Sequence, residues 1–172
     1  MSSEAQRAEL HRTIWKIANE LRGSIDGWDF KTYVLGMLFY RFISENLTAY
    51  LDDNQHRAGE KNFSYANLSD DKAEFGRKAT VEQKGFFMLP SELFENVRKT
   101  SRNDTNLNET LDRVFTNIEA SAVGSPSEDD LKGLFDDLDV NSNKLGATVV
   151  KRNELLVKLL DSIGQLDFGS FQ

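Results

Sequence analysis

The segment Leu10–Leu51, LHRTIWKIANELRGSIDGWDFKTYVLGMLFYRFISENLTAYL, holds both tryptophans, Trp15 and Trp28, and the densest apolar run of the chain, Tyr33–Tyr40. Two helical patterns meet in it at Arg22-Gly23-Ser24-Ile25-Asp26-Gly27. In the first, Leu10, Ile14, Ile17, Ala18 and Leu21 recur at three- and four-residue spacing, the mark of an amphipathic helix. Trp15 lies beside that stripe and is expected in the core. Ser3 with Gln6 forms a capping-box-like start, and Gly23 falls where a left-handed C-cap would end the helix. The second helix is predicted to start at Asp29, a good N-cap residue, with Phe30, Val34, Met37, Leu38 and Phe42 along one face. Nearly every position from Tyr33 to Ile43 is apolar, so this central helix should be covered on most sides. Gly36 inside it costs about 1 kcal/mol against alanine, a cost that a close helix–helix contact would explain.

Outward from this pair, Asp52–Gly59 (DDNQHRAG) reads as a polar, turn-rich loop. Phe63, Tyr65 and Leu68 follow, and Ser69 or Asp70 can cap a short charged helix ending near Gly85. Phe86-Phe87-Met88-Leu89 before Pro90 is too short for periodicity to choose between a strand and an extended buried segment. Ser91 can cap a helix bearing Leu93, Phe94 and Val97. Asn106 with Glu109 suggests another capping box, and Leu107, Leu111, Val114, Phe115 and Ile118 form a clear helical stripe. Ser127 with Asp130 restarts a helix carrying Leu131, Leu134, Phe135 and Leu138. After an Asn- and Ser-rich loop at Asp139–Gly146, a last helix is predicted near Val150–Ile163, stopped by Gly164. The fold class is therefore all-α, a bundle of about seven helices with room for one short β hairpin near residues 63–89.

The chain has 172 residues and no cysteine, so disulfides and thiolate metal sites are excluded. The N-terminal MSSEAQRAELHR is polar and mixed in charge, without the apolar core of a signal peptide, and no apolar run approaches the roughly 20 residues of a membrane span, so no membrane partner is expected. The net charge of −7 argues against a free-standing nucleic-acid binder, which carries a basic face. Charge is uneven: Ser127–Asp139 sets Glu128, Asp129, Asp130, Asp136, Asp137 and Asp139 against Lys132, a pattern that a solvated helix face explains.

Enzyme signatures are missing. Pro90 and Pro126 are the only prolines and are not adjacent, which rules out the paired-proline motif of amino-methyltransferases in this chain. No Gly-rich phosphate loop is present. Asp137–Ser142 begins like a calcium loop, but Ser142 and Thr148 stand where glycine and glutamate are needed, so it reads as a polar turn. His11 and His56 have no partner at motif spacing and read as surface residues. Phe168-Gly169-Ser170 lacks the second glycine and the preceding strand of a cofactor loop.

The opening stretch nevertheless carries a composite signature. Ile14-Trp15-Lys16-Ile17-Ala18-Asn19-Glu20-Leu21-Arg22-Gly23, followed by Asp29-Phe30-Lys31-Thr32-Tyr33-Val34-Leu35-Gly36-Met37-Leu38-Phe39-Tyr40-Arg41-Phe42-Ile43-Ser44, resembles the N-terminal helical domain of the modification subunit of type I restriction–modification systems. Ile14, Arg41 and Glu45 depart from the usual residues while keeping their physical type. The likeness continues through Gly85–Pro90 and Asn141–Gly146 and is weak only in Asp52–Ala79.

The resemblance implies an N-terminal helical accessory domain over residues 1–165 and, in 166–172, a junction toward a catalytic methyltransferase domain absent from this chain. It implies a parent enzyme that uses S-adenosylmethionine to methylate adenine-N6 in a base flipped out of double-stranded DNA. It also implies a specificity subunit, a second modification subunit and restriction subunits as partners, in the cytoplasm. The fragment is expected to be inactive alone, to bind no cofactor and to contact DNA weakly. Arg22, Lys31 and Arg41, with Asn19, are the candidates for DNA or subunit contact. For Arg41 a salt bridge with Glu45, four residues on, is the competing role. For Asn19 the competing role is a backbone bond at the Gly23 turn. The alternative to all of this is a free-standing helical protein-interaction module without DNA function.

Overall fold

A computed structural model describes residues 3–20 and 27–166. Among them are α1 (Ser3–Glu20), α2 (Gly27–Arg57), α3 (Asp70–Glu74), α4 (Arg77–Lys84), α5 (Phe94–Thr100), α6 (Leu107–Ser121), α7 (Glu128–Asp136) and α8 (Val149–Gly164). Short 3₁₀ turns stand at Tyr65–Asn67, Pro90–Glu92, Ser101–Asn103 and Asn143–Leu145. The Gly23 cap, Arg22, the Ser3–Gln6 side chains and the Phe168–Ser170 segment lie outside the described residues.

α2 is the axis of the bundle. Its 31 residues run about 46 Å at 1.5 Å per residue, and it packs on α5 and α8, while α8 also packs on α5 and α6. The buried seam of α2 is Tyr33, Val34, Met37, Tyr40, Ile43, Ser44 and Leu47, a three- and four-residue progression. Aromatic rings link the helices across this seam. Tyr40 meets Phe94 of α5 and Phe115 of α6 edge-on at 5.4 and 5.2 Å, and Phe115 stacks on Phe135 of α7 at 4.7 Å. Such pairs add about 0.5–1.5 kcal/mol each beyond area burial.

The α6 stripe is buried as its spacing predicts, and α8 buries Leu155, Leu156, Leu159, Leu160 and Ile163. Gly36 is explained by contact with the second residue past α7: a Cβ there would meet both Leu138 methyl carbons at 3.0 Å. α4 ends at Gly85 in the left-handed conformation (φ 85°), its amide donating to the Val81 carbonyl. The Ser69 hydroxyl caps α3 by accepting from the Lys72 amide.

Several expectations are corrected. Asp52–Arg57 is helical rather than loop: α2 runs on, and Asp52 uses its carboxylate to accept from the Tyr65 amide at 2.8 Å, tying the following turn back to the helix. α2 begins at Gly27, ahead of Asp29. No hairpin forms at residues 63–89 among the described residues, which hold a 3₁₀ turn, α3, α4 and an extended run. In that run, Phe86, Phe87 and Met88 are buried. Its polar backbone is satisfied from the sides: the Phe87 amide donates to Ser121 Oγ, and the Met88 carbonyl accepts from the Tyr65 hydroxyl. Ser91 does not cap α5. Pro90 opens a 3₁₀ turn instead, and the Ser91 hydroxyl donates to Asp70 Oδ2 at 2.6 Å.

Candidate functional site

Polar groups gather at the centre of the bundle, and they serve packing. The Tyr40 hydroxyl donates to the Glu92 carbonyl at 2.6 Å. The Ser44 hydroxyl donates to the Tyr40 carbonyl and accepts from the Phe94 amide. Glu92, buried, accepts from the Leu89 amide on one oxygen and from Asn117 Nδ2 on the other. Burial, and next the charge of Glu92, push the Tyr40 phenol well above its ordinary value. Tyr65 is raised too, chiefly by burial and then by Asp70. Both phenols therefore stay protonated near neutrality and act as hydrogen-bond donors to backbone, a role that locks helices rather than one that supplies a nucleophile.

The polar turn after α7 is likewise structural. Asp139 accepts from the Asn141 amide at 2.9 Å, its carbonyl accepts from the Tyr33 hydroxyl at 2.6 Å, and Asn141 Oδ1 accepts from Asn108 Nδ2 at 2.7 Å. Among the described residues no cluster of His, Asp or Glu is arranged to hold a metal ion. No helix among them is long and apolar enough to cross a membrane.

Of the residues singled out from the sequence, Arg41, Lys31 and Asn19 lie among those described. Arg41 is an interior strut, its side chain only 12% exposed. Its Nη1 donates to the carbonyls of Ile163 and Leu166, both at 2.6 Å, at the C-terminal end of α8. Its Nε donates to Glu45 at 2.7 Å, the helical pair its spacing allows. The positively charged Arg41 guanidinium thus meets the negative, carbonyl-bearing end of the α8 dipole. Lys31 is exposed, ten residues earlier on α2 and so about 15 Å along the helix. Asn19 is exposed on α1, where it lines a broad hollow of about 630 Å³ with His11, Arg12, Trp15 and Lys16. Arg22 and the Gly23 turn that Asn19 was expected to bond are outside the described residues.

Trp15 is not a core residue: it is 70% exposed. Ile17, two positions on and therefore about 200° around the helix, takes the buried side. Phe42 and Leu35, expected to be covered, are 61% and 53% exposed. The Trp28 side chain lies outside the described residues. Sequence reasoning missed the cleft that Phe42 borders, which lies between α2 and α7, has a volume of about 580 Å³ and is floored by Phe39, Ile43, Phe86 and Leu131. The signal was present in the surplus of apolar residues on α2, more than one seam can bury.

The family described as HsdM N-terminal domain matches residues 10–163. The type I restriction enzyme MpnII methylase subunit of Mycoplasma pneumoniae (strain ATCC 29342 / M129 / Subtype 1) is 45% identical over 174 aligned positions, covering 97% of this chain and 32% of that protein. The crystal structure of the type I restriction-modification system methyltransferase subunit from Streptococcus thermophilus superposes with a TM-score of 0.73 at 23% identity, covering 96% of this chain and 35% of that one. The last shows a shared fold. The chain spans about a third of the length of these relatives.

Proposed function

Because the chain belongs to the HsdM N-terminal domain family, we propose that it serves as the accessory helical domain of a type I methylase subunit, helping that subunit to assemble and to embrace DNA. In this reading the remainder of the subunit binds S-adenosylmethionine and methylates adenine-N6. A specificity subunit reads the sequence, a second methylase subunit completes the modification unit, and restriction subunits join it. The observation that carries the reading is the family match across residues 10–163, reinforced by a curated methylase relative at 45% identity over nearly the whole chain.

No residue of this chain is assigned to the cofactor. The α2–α7 cleft is floored by aromatic and aliphatic side chains and presents one carboxylate, Asp130, at its edge, a poor match to a ligand carrying an adenosine and an amino acid. DNA contact falls to exposed cations such as Lys31, with Asn19 beside Arg12 and Lys16 on α1, while Arg41 is engaged with Glu45 and the end of α8. With a net charge of −7, such contact is weak and steeply salt-dependent, because few phosphates can be neutralised.

The test is deletion of residues 1–166 from the methylase subunit that carries them. S-adenosylmethionine binding, followed by calorimetry, should persist while methyl transfer to a duplex in the presence of the specificity subunit falls sharply. An unchanged methylation rate, or micromolar cofactor binding by the isolated domain, overturns the proposal.

A further inference from the structure

We infer that the last turn of α8 is a rigid mount that fixes the direction in which the chain leaves the bundle, with Arg41 and Arg98 as its positioning residues. The inference rests on the reading above, in which the remainder of a methylase subunit follows this domain, and it assigns the joint between the two.

The sequence of α8 leaves its own end uncompensated. The last four carbonyls of a helix lack intrahelical partners and carry the negative end of its dipole. Basic side chains in the last turn offset that charge in many helices. The last turn of α8 has none and adds the carboxylate of Asp161. Neither Gln165 nor Leu166 takes a positive φ, so no left-handed cap closes the helix.

Compensation comes from two other elements. From α2, Arg41 Nη1 donates to the Ile163 and Leu166 carbonyls. From α5, Arg98 Nε donates to Asp161 Oδ1 at 3.3 Å, and Arg102 in the 3₁₀ turn after α5 donates to Asp161 Oδ2 at 2.6 Å. Arg98 can lie there because residue 164 is glycine. A Cβ on Gly164 would overlap Arg98 Nε and stand 2.6 Å from its Cδ and Cζ, so Gly164 is a notch for that side chain.

The hold extends past the helix. Leu166 lies beyond α8 with its side chain buried, its amide donating to the Ile163 carbonyl at 3.2 Å and its carbonyl accepting from Arg41. Both backbone polar groups of the residue at which the chain departs are therefore bound. Burying α8 requires only its apolar side chains; pinning backbone beyond its end fixes a direction. Arg41 stands on α2, the helix against which α5 and α8 both pack, so that direction is set relative to the whole bundle. A joint held in this way passes on rigid-body rotation, which a linker free in its backbone dihedrals does not.

The test uses the whole methylase subunit that carries this domain. The chain has no cysteine and Asn54 is exposed on α2, so Asn54→Cys takes one spin label; a second sits on a single exposed cysteine in the remainder of the subunit. Pulsed dipolar spectroscopy should give one narrow distance distribution. Arg41→Ala should broaden it with the helical spectrum unchanged. Gly164→Ala should broaden it too, because it displaces the flexible end of Arg98; alanine favours the helix, so this variant keeps the fold even where Arg41→Ala does not. Glu45→Ala, which touches Arg41 from the same helix, should leave the width unchanged, and Arg41→Lys should fall between. A broad distribution in the unsubstituted subunit, a width unmoved by a folded Arg41→Ala or by Gly164→Ala, or equal broadening by Glu45→Ala overturns the inference. If the joint fails in this way while removal of residues 1–166 still abolishes methylation, only the mount falls. A narrow, arginine-dependent distribution with methylation unaffected by that removal instead takes away the accessory role.

Discussion

Replacing Arg41 by alanine separates the two roles that the structure gives it, the helical pair with Glu45 and the bonds to the end of α8. The pair is the weaker. Glu45 is 45% exposed, and exposed ion pairs contribute about 0–1 kcal/mol. The bonds to the Ile163 and Leu166 carbonyls run between elements more than a hundred residues apart, and the side chain making them is only 12% exposed. The Ile163 carbonyl keeps a second partner, the Leu166 amide at 3.2 Å, so Leu166 is the acceptor most at risk. Hydrogen bonds from a charged donor are worth about 1.5–3 kcal/mol each, and with one carbonyl still partnered the total for Arg41→Ala comes to about 2–4 kcal/mol. Glu45→Ala should cost under about 1 kcal/mol. Arg41→Lys should fall between, since an ammonium keeps the charge opposite the α8 dipole but lacks the planar fork. Urea unfolding followed by helical circular dichroism, with the Arg41/Glu45 double-mutant cycle, measures all of these. Equal losses for Arg41→Ala and Glu45→Ala, or a coupling energy as large as the Arg41→Ala loss itself, would refute the assignment of Arg41 to the α8 terminus.

Phe115→Ala removes a ring held between Tyr40 and Phe135 and should cost about 3–5 kcal/mol, read as a drop in urea midpoint at constant slope. Gly36→Ala sets about 1 kcal/mol of helix propensity against a 3.0 Å contact with Leu138. It should be near neutral, whereas Gly36→Leu overpacks the site by about 1–3 kcal/mol. Thermal melts of the two distinguish a tight contact from an open one. The Glu119 carboxyl is raised by partial burial and then by Asp136. The folded state therefore holds that proton to higher pH than the unfolded state does, and stability from this group declines as pH rises from the unfolded value through the folded one. Glu119→Gln should raise the unfolding midpoint at neutral pH, and the gain should vanish below the ordinary glutamate range; a gain that is constant with pH contradicts the sign.

Periodicity was a good guide where one face of a helix is buried and the other is wet. The five apolar positions of the α6 stripe are all buried, because most of its polar positions meet solvent. It failed where polar residues extend a helix already nucleated. Asp52–Arg57 read as a loop, but it only prolongs α2, and its turn-forming side chains bond the next segment: Asp52 takes the Tyr65 amide and His56 Nε2 lies 2.8 Å from the Phe63 carbonyl. It could not decide Phe86–Leu89, where Glu92 takes the Leu89 amide from three residues on, but the Phe87 amide and Met88 carbonyl are satisfied by the Ser121 and Tyr65 side chains far away in sequence. No local pattern encodes such partners. The interaction surface was the least legible part. A row of apolar residues states that burial is available, and whether Phe42 is covered depends on where α7 lies.

The residues that carry the family signature are largely explained by what they hold inside the fold. Tyr33 ties the start of α2 to the Asp139 carbonyl, Gly36 makes room for Leu138, Tyr40 fastens the Glu92 turn, Arg41 grips the end of α8, and Ser44 receives the Phe94 amide. These positions occupy the α2 seam or support it from its edge, and together they orient α5, α7 and α8 around one helix. A signature of that kind identifies a chain strongly because changing one member strains several elements together, yet it says little about partners. Partner contact must fall on the side chains of the same stretch that this framework leaves out. Trp15, Lys31, Leu35 and Phe42 are exposed there, and none of them bonds across the seam in the way its neighbours do. Function in this domain is therefore to be sought on the outward turns of α1 and α2, one or two residues away from those by which the family is recognised.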